Sequence, residues 1–414
     1  MHDKTSQLPA WLTKEYMQEK LSLFHKDQQL RVLKLSAESA TGKGGNYVGV
    51  LTRLQVEFQT GDGQRQQQTY LLKETCSKDT PEAEIFKEYG VYTRELDMYE
   101  NVLPKMSAIL REFGIKDKRH PDAVCVDRDH AILILEDLGQ LEYRNADRVQ
   151  RLDVKHVQLA LEMLAKYHAA AAALHQRQPE VFAKNYDCTF FSRGVKGYGT
   201  VFSGLFKALL RYIKTQPKLE ARYYEKLSHM QDNLMEYGAR CLDVGSEDFQ
   251  TLTHGDCWTT NIMFRYNADG QPSAVIPIDF QFSHWTSPAI DLHYFFSTSL
   301  REEVGKRQTE LVQHYYYALK GALEQLKYQG PFHSLYEFQL QFEKRRFFTV
   351  FITLAFQTIM IYNGKEETSF QNLYQDTPEA IRFQDSMYES EQAQRIVHRM
   401  LPIFDAKGLL DDLH

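Results

Sequence analysis

Apolar residues change their spacing twice along the chain, and the changes divide it. Over residues 1–34, Trp11, Leu12, Tyr16, Leu21 and Phe24 recur at helical intervals, which predicts one or two short helices. From Leu33 the period shortens. Val48, Val50, Thr52, Leu54, Val56 and Phe58 alternate with Arg53, Gln55 and Glu57, a long strand leaving a glycine-rich turn at 41–47. Gly61-Asp62-Gly63 and the glutamine-rich run to Gln68 read as an exposed hairpin tip, with a returning strand at 70–74. Helical spacing reappears over 84–103 through Ile85, Tyr89, Tyr92, Leu96, Tyr99 and Leu103, and Pro104 is expected to end it. Two more strands follow, at 124–126 and 130–135, the second apolar enough to be central.

Beyond residue 150 the pattern is mostly helical, at 157–174, 190–213, 219–237, 312–326, 338–362 and 392–401. A loop at 252–264 lies between two short apolar strands. Gly194, Gly197, Gly199 and Gly204 mark a looser segment, readable as a substrate-side loop or as an inert connection.

Composition narrows the partners. The 414 residues are 43% hydrophobic and 25% charged, an ordinary globular balance large enough for two lobes. A net charge of -6 offers no general attraction for nucleic acid or anionic lipid, so small molecules are the expected partners. Five scattered cysteines without a CxxC pair indicate neither a disulfide framework nor structural zinc, and the first residues lack an apolar signal core. A cytoplasmic protein with reduced thiols is expected. The apolar stretch 347–362 is interrupted by Thr349, Thr353, Gln357 and Thr358 and reads as a buried helix.

Three polar residues carry the chemistry. Asp256, after the small Gly255, suits the orientation and deprotonation of an attacking hydroxyl. Asn261 offers a neutral amide oxygen and Asp279, closing an apolar strand, an anionic one; hard magnesium prefers both. Upstream, Lys73 stands in the apolar part of a strand. Taken alone it reads as solvent-facing, but Glu88 and Glu95, seven residues apart on one helix, could each reach it to form a phosphate-gripping pair. The glycine turn with Gly44, Gly45 and Asn46 could bring backbone N–H groups to phosphates, and the backbone at Glu136 to Leu138 could meet a base. His168 reads as a core histidine.

His254-Gly255-Asp256-x-x-x-x-Asn261 with Ile278-Asp279-Phe280-Gln281 resembles the signature of aminoglycoside phosphotransferases and choline kinases. The fuller stretches 254–264, 279–281 and 287–292, with Asn46-Tyr47, 95–99 and 134–138, are most similar to the insect ecdysteroid-kinase-like (CHK kinase-like) family. The resemblance implies an α+β, bilobal protein-kinase-like fold. Its β-rich N-lobe (1–138) would carry one key helix, and its C-lobe (139–414) would be larger and mostly helical. It implies ATP and Mg2+ as cofactors, and Lys73 as phosphate lysine with Glu95 rather than Glu88 as partner. It also implies Asp256 as catalytic residue, Asn261 and Asp279 as metal ligands, and His254 and Asp291 as supports of the loop. Lys43-Gly44-Gly45 lacks an acid expected in the glycine turn, and His284-Trp285 replaces a more usual basic-aromatic pair. The acceptor expected is an alcohol on an ecdysteroid or similar apolar compound. The alternatives are a choline or aminoglycoside kinase, favoured if acids such as Glu302, Glu303 and Asp385 face inward, and an inactive nucleotide- or steroid-binding pseudokinase.

Overall fold

The computed structural model describes residues 8–40, 50–74, 81–366 and 368–411. The expected glycine turn, with Gly44, Gly45 and Asn46, lies outside them. Helix α1 (Lys14–His25) opens on a Thr13 cap and precedes a sheet of β1 (Arg31–Ser39), β2 (Val50–Gln59), β3 (Arg65–Glu74), β4 (Ala123–Asp127) and β5 (Ile132–Glu136). The strand order is β1-β2-β3-β5-β4, every neighbour antiparallel. β3 already contains the glutamines assigned to the hairpin tip, which is confined to Gly61–Gln64. Alternation decides the two faces. Leu54, Val56, Phe58, Tyr70 and Leu72 pack under Met17 and Leu21 of α1, whereas Leu71 and Lys73 point the other way.

That other face meets α3 (Val91–Asp97) and α4 (Leu103–Glu112), while α2 (Pro81–Glu88) packs its Phe86 with Tyr198 and Phe202 of the helical part. The single helix expected over 84–103 is broken at Gly90, whose φ of 63° caps α3, and Pro104 does not end the run. A π-helical turn, Met98–Val102, widens the backbone just before it, and Pro104 sits in the first turn of α4 where its missing N–H costs nothing.

After β6 (Arg144–Asn145), α5 (Val154–Arg177) runs through the centre of the helical part, capped by Asp153. Its buried Ala169 to Ala173 let neighbouring elements approach closely, and one apolar cluster joins it to α4, Leu133 and Leu135. Helices α6 (Gly197–Lys214) and α7 (Pro217–Leu242) follow. Of the glycines expected to loosen this region, only Gly194 precedes α6; Gly197, Gly199 and Gly204 lie inside it. At Gly204 a Cβ would meet the Leu373 carbonyl at 2.5 Å, so close packing explains that residue. Strands β7 (Thr251–Thr253), β8 (Ile262–Tyr266), β9 (Pro272–Pro277) and β10 (His284–Thr286) frame the polar loop.

The chain finishes with α8 (Ala289–Ser299), α9 (Glu302–Gly305), α10 (Gln308–Gln325), α11 (Leu335–Lys344), α12 (Phe348–Phe351), α13 (Gln357–Met360), α14 (Pro378–Ser386) and α15 (Glu391–Ala406). The segment read as one buried helix is a continuous buried helical run in which α12 and α13 flank a π turn, Ile352–Phe356. The whole is the bilobal α+β arrangement expected, strand-rich as far as β5 and mostly helical beyond it. No described helix is long and apolar enough to cross a membrane.

Candidate active site

Lys73 leaves the middle of the sheet, paired in register with Leu51 on one side and Leu133 on the other. Its Nζ donates to Glu95 Oε1 and to Asp279 Oδ1, both at 2.7 Å, and its side chain is 12% exposed. The solvent-facing reading of Lys73 is therefore corrected: two carboxylates offset the cost of burial. Burial alone would lower the lysine's pKa, but Asp279 and Glu95 outweigh it and hold the ammonium protonated. One cation cannot neutralise two anions, and Glu95 is pushed up to about 7 by burial and Asp279 despite Lys73.

Glu88 does not reach Lys73. Its carboxylate instead accepts the Lys196 and Gly197 N–H groups at 3.2 and 3.3 Å, at the start of α6. Beside Glu95, the buried Arg94 guanidinium donates to three carbonyls from three segments, Asn185 (2.5 Å), Gln281 (2.9 Å) and Tyr89 (2.9 Å).

The loop after β7 is held from below by Asp291, in the first turn of α8. Its carboxylate accepts the N–H groups of His254 (2.7 Å) and Gly255 (2.9 Å) and faces His168 Nε2 at 2.9 Å. Burial raises the Asp291 pKa, but the hydrogen bonds from His168 and from the His254 N–H outweigh this and keep it low. His168, fully buried and also bonded to Tyr315, is the core histidine expected. His254 accepts the Asp256 N–H on Nδ1 and donates from Nε2 to Ile278 O, while Ile278 N–H donates to Asn261 O. The loop thus grips the peptide next to Asp279, which has a φ of 70°. Gly255 is required by its φ of 80° and by the Phe282 carbonyl, into which a Cβ would run.

Asp256 uses both carboxylate oxygens, accepting from Tyr294 at 2.5 Å on Oδ1 and from Asn261 Nδ2 at 2.9 Å on Oδ2. Burial, and secondarily Asp279, push it up to about 8 against the opposing Tyr294 and Asn261 hydrogen bonds and Lys73. Asn261 Nδ2 is committed to Asp256, which leaves Oδ1 without a protein partner among the described residues. An unpartnered amide oxygen and two carboxylates share a site with one lysine. This donor set fits a hard divalent cation completed by phosphate oxygens and water. No cluster of three or more His, Cys, Asp or Glu suited to a metal occurs among the described residues, so an all-protein cage is not what they offer.

The stretch expected to meet a base is only partly free. Glu136 N–H donates to Asp122 O and its carboxylate is taken by Lys118 and the Asp122 N–H, while the Leu138 side chain is buried with Tyr143 and Ile276. His284 and Trp285 lie in β10, paired with Thr253 and Leu252 of β7 at the start of the loop, and neither lines the cavity. Burial lowers His284 to about 4, and Trp285 stacks on His175. Arg94 and Tyr294 escape sequence reading. For Tyr294 a signal existed, since it follows Asp291 by three residues on one helix and so shares its face; Arg94 resembles any helix-surface arginine.

A cavity of about 690 Å³ opens onto Asp256, Asn261 and Asp279, walled by Phe190, Tyr198, Phe282, Tyr294, Phe356 and Phe370 among others. The choline kinase of Cryptosporidium parvum Iowa II is similar over 96% of this chain and 98% of its own at 10% identity, TM-score 0.42. The ADP-bound aminoglycoside phosphotransferase APH(2'')-Ib matches over 82% and 99% at 14%, TM-score 0.33. At such scores neither bears on residue roles or substrate. No curated protein gives a significant match. The sequence profile of the ecdysteroid kinase-like family matches residues 43–328, well over half the chain, and the protein belongs to that family.

Proposed function

We propose that this chain is an ATP- and Mg2+-dependent small-molecule kinase that transfers the γ-phosphate to an alcohol hydroxyl of an ecdysteroid or similar apolar compound. The observation that carries the reading is the Lys73 ammonium between Glu95 and Asp279, residues 22 and 206 positions away along the chain, beside an Asp256–Asn261 pair. In this reading Lys73 grips phosphates, positioned by Glu95. Asn261 Oδ1 and Asp279 hold magnesium, which neutralises charge on the transferring group. Asp256 orients the acceptor hydroxyl and takes its proton, and His254 and Asp291 fix the loop. Gly44, Gly45 and Asn46 would close over the phosphates, and the segment from Glu136 to Leu138 would border the base.

The acids that would favour a choline- or aminoglycoside-type acceptor do not line the cavity. Glu302 pairs with Lys306, Asp385 pairs with Arg211, and Glu303 is exposed. The test is magnesium-dependent ATP consumption with ecdysteroids, choline, aminoglycosides and plant phenolics, Asp256→Asn serving as control. Equal consumption by wild type and control with every acceptor would replace the kinase reading with that of a binding pseudokinase.

A further inference from the structure

Most of the cavity wall is aromatic or aliphatic, and its charged groups are accounted for. Arg148 donates to the Met360 and Tyr362 carbonyls, Lys365 and Glu366 are exposed, and Asp256 and Asp279 belong to the reaction centre. Two wall residues break the pattern. Gln281 is 3% exposed, yet its carboxamide makes no hydrogen bond among the described residues, and Oε1 is buried without a partner. Tyr198 is 4% exposed, and its hydroxyl likewise has no partner there.

Both residues are fixed in the cavity wall, Gln281 by its backbone and Tyr198 by its backbone and ring. The Gln281 backbone is pinned through its carbonyl by Arg94. The Tyr198 N–H donates to Tyr89, and its ring lies edge-on to Phe282 at 5.8 Å and to Tyr89 at 4.7 Å. A buried, unpaired amide destabilises a fold. Such groups at the wall of a cavity, next to the reaction centre, are explained when a ligand supplies the partners.

Their chemistry specifies the ligand. A carboxamide donates and accepts, and a phenol does the same; burial, and then Asp256, keep the Tyr198 phenol protonated. Both are neutral, so a cationic group beside them would find no counter-charge. Resting on the reading of this cavity as the acceptor site, we propose that Gln281 and Tyr198 are its recognition pair. The acceptor they select is a neutral polyol with an apolar body. One of its hydroxyls lies at Asp256, and at least one other hydroxyl or carbonyl is hydrogen-bonded by Gln281.

The test uses the full chain without nucleotide, titrated calorimetrically with 20-hydroxyecdysone and, separately, with choline, alongside Gln281→Met and Tyr198→Phe. Wild type is expected to bind 20-hydroxyecdysone and not choline, with each variant about tenfold weaker or more, since buried polar groups lose their pairing. Gln281→Met is expected to melt at the same temperature or higher, because it removes an unsatisfied group; a purely structural glutamine would lower it. Variants that bind as wild type does, a lowered melting temperature for Gln281→Met, or a wild type that prefers choline or binds neither probe would each overturn the assignment. Binding of 20-hydroxyecdysone without phosphoryl transfer would remove the kinase reading and leave this one. Transfer to choline without affinity for the polyol would do the reverse.

Discussion

Asp256, Asn261 and Asp279 stand out in the sequence by their types and order, and the fold gathers them at one cavity, whereas Arg94, Tyr294 and Gln281 become visible only through what surrounds them. An isolated arginine or glutamine looks the same in sequence whether it meets water, three carbonyls or nothing. At this scale Asp256→Asn is expected to lower kcat by about 10²- to 10⁴-fold, the usual worth of a positioned base, with ATP affinity retained, as a coupled ATPase assay with an accepted alcohol would report. Gly255→Ala forces a side chain into the Phe282 carbonyl at a positive φ. It should cost more than about 1 kcal/mol in chemical denaturation and abolish turnover by displacing the loop.

Strands and most helices followed from periodicity, and what periodicity missed was local. Spacing could not show the break at Gly90, nor that a π turn would carry a helix past Pro104, because both conserve the apolar stripe while altering the backbone. Nor could it place Lys73, since strand alternation gives opposite faces without saying that an acidic helix covers one of them. Ion pairs between distant elements are equally silent. Arg345, after α11, and Asp248, before β7, have side chains 1% and 2% exposed and meet at 2.9 Å. Burial raises the Asp248 pKa, but the Gly245 N–H and Arg345 outweigh it. Arg345→Leu would strand that carboxylate and should destabilise the fold by about 3–5 kcal/mol, read as a lower denaturant midpoint with an unchanged slope.

For the molecule as a whole, two histidines are buried where nearby anions do not outweigh the loss of water. Burial lowers His284 to about 4, and burial, then Arg346, lower His293 to about 3. Unfolded, both take a proton near pH 6.5. Between pH 6.5 and about 4 the unfolded chain therefore binds more protons at these two sites, so their contribution to stability falls as pH falls, while the raised Glu95 and Asp256 carboxyls act in the opposite sense. His293→Gln is expected to make the melting temperature fall less, or rise more, than that of the wild type as pH drops from 6.5 to about 4, as paired melting curves would report.

The three carbonyls gathered by Arg94 bear on how such a protein is controlled. Swinging α3 away from the sheet would pull the guanidinium off the Asn185 and Gln281 carbonyls together, in a largely buried place. A helix so anchored has no idle position to rest in, and the pairing of Glu95 with Lys73 needs no activating signal. Hydrogen exchange over residues 91–97 is then expected to be slow without nucleotide and little changed by adding Mg-ATP. In the proposed kinase, output would then follow how much of the chain is made and how much acceptor arrives.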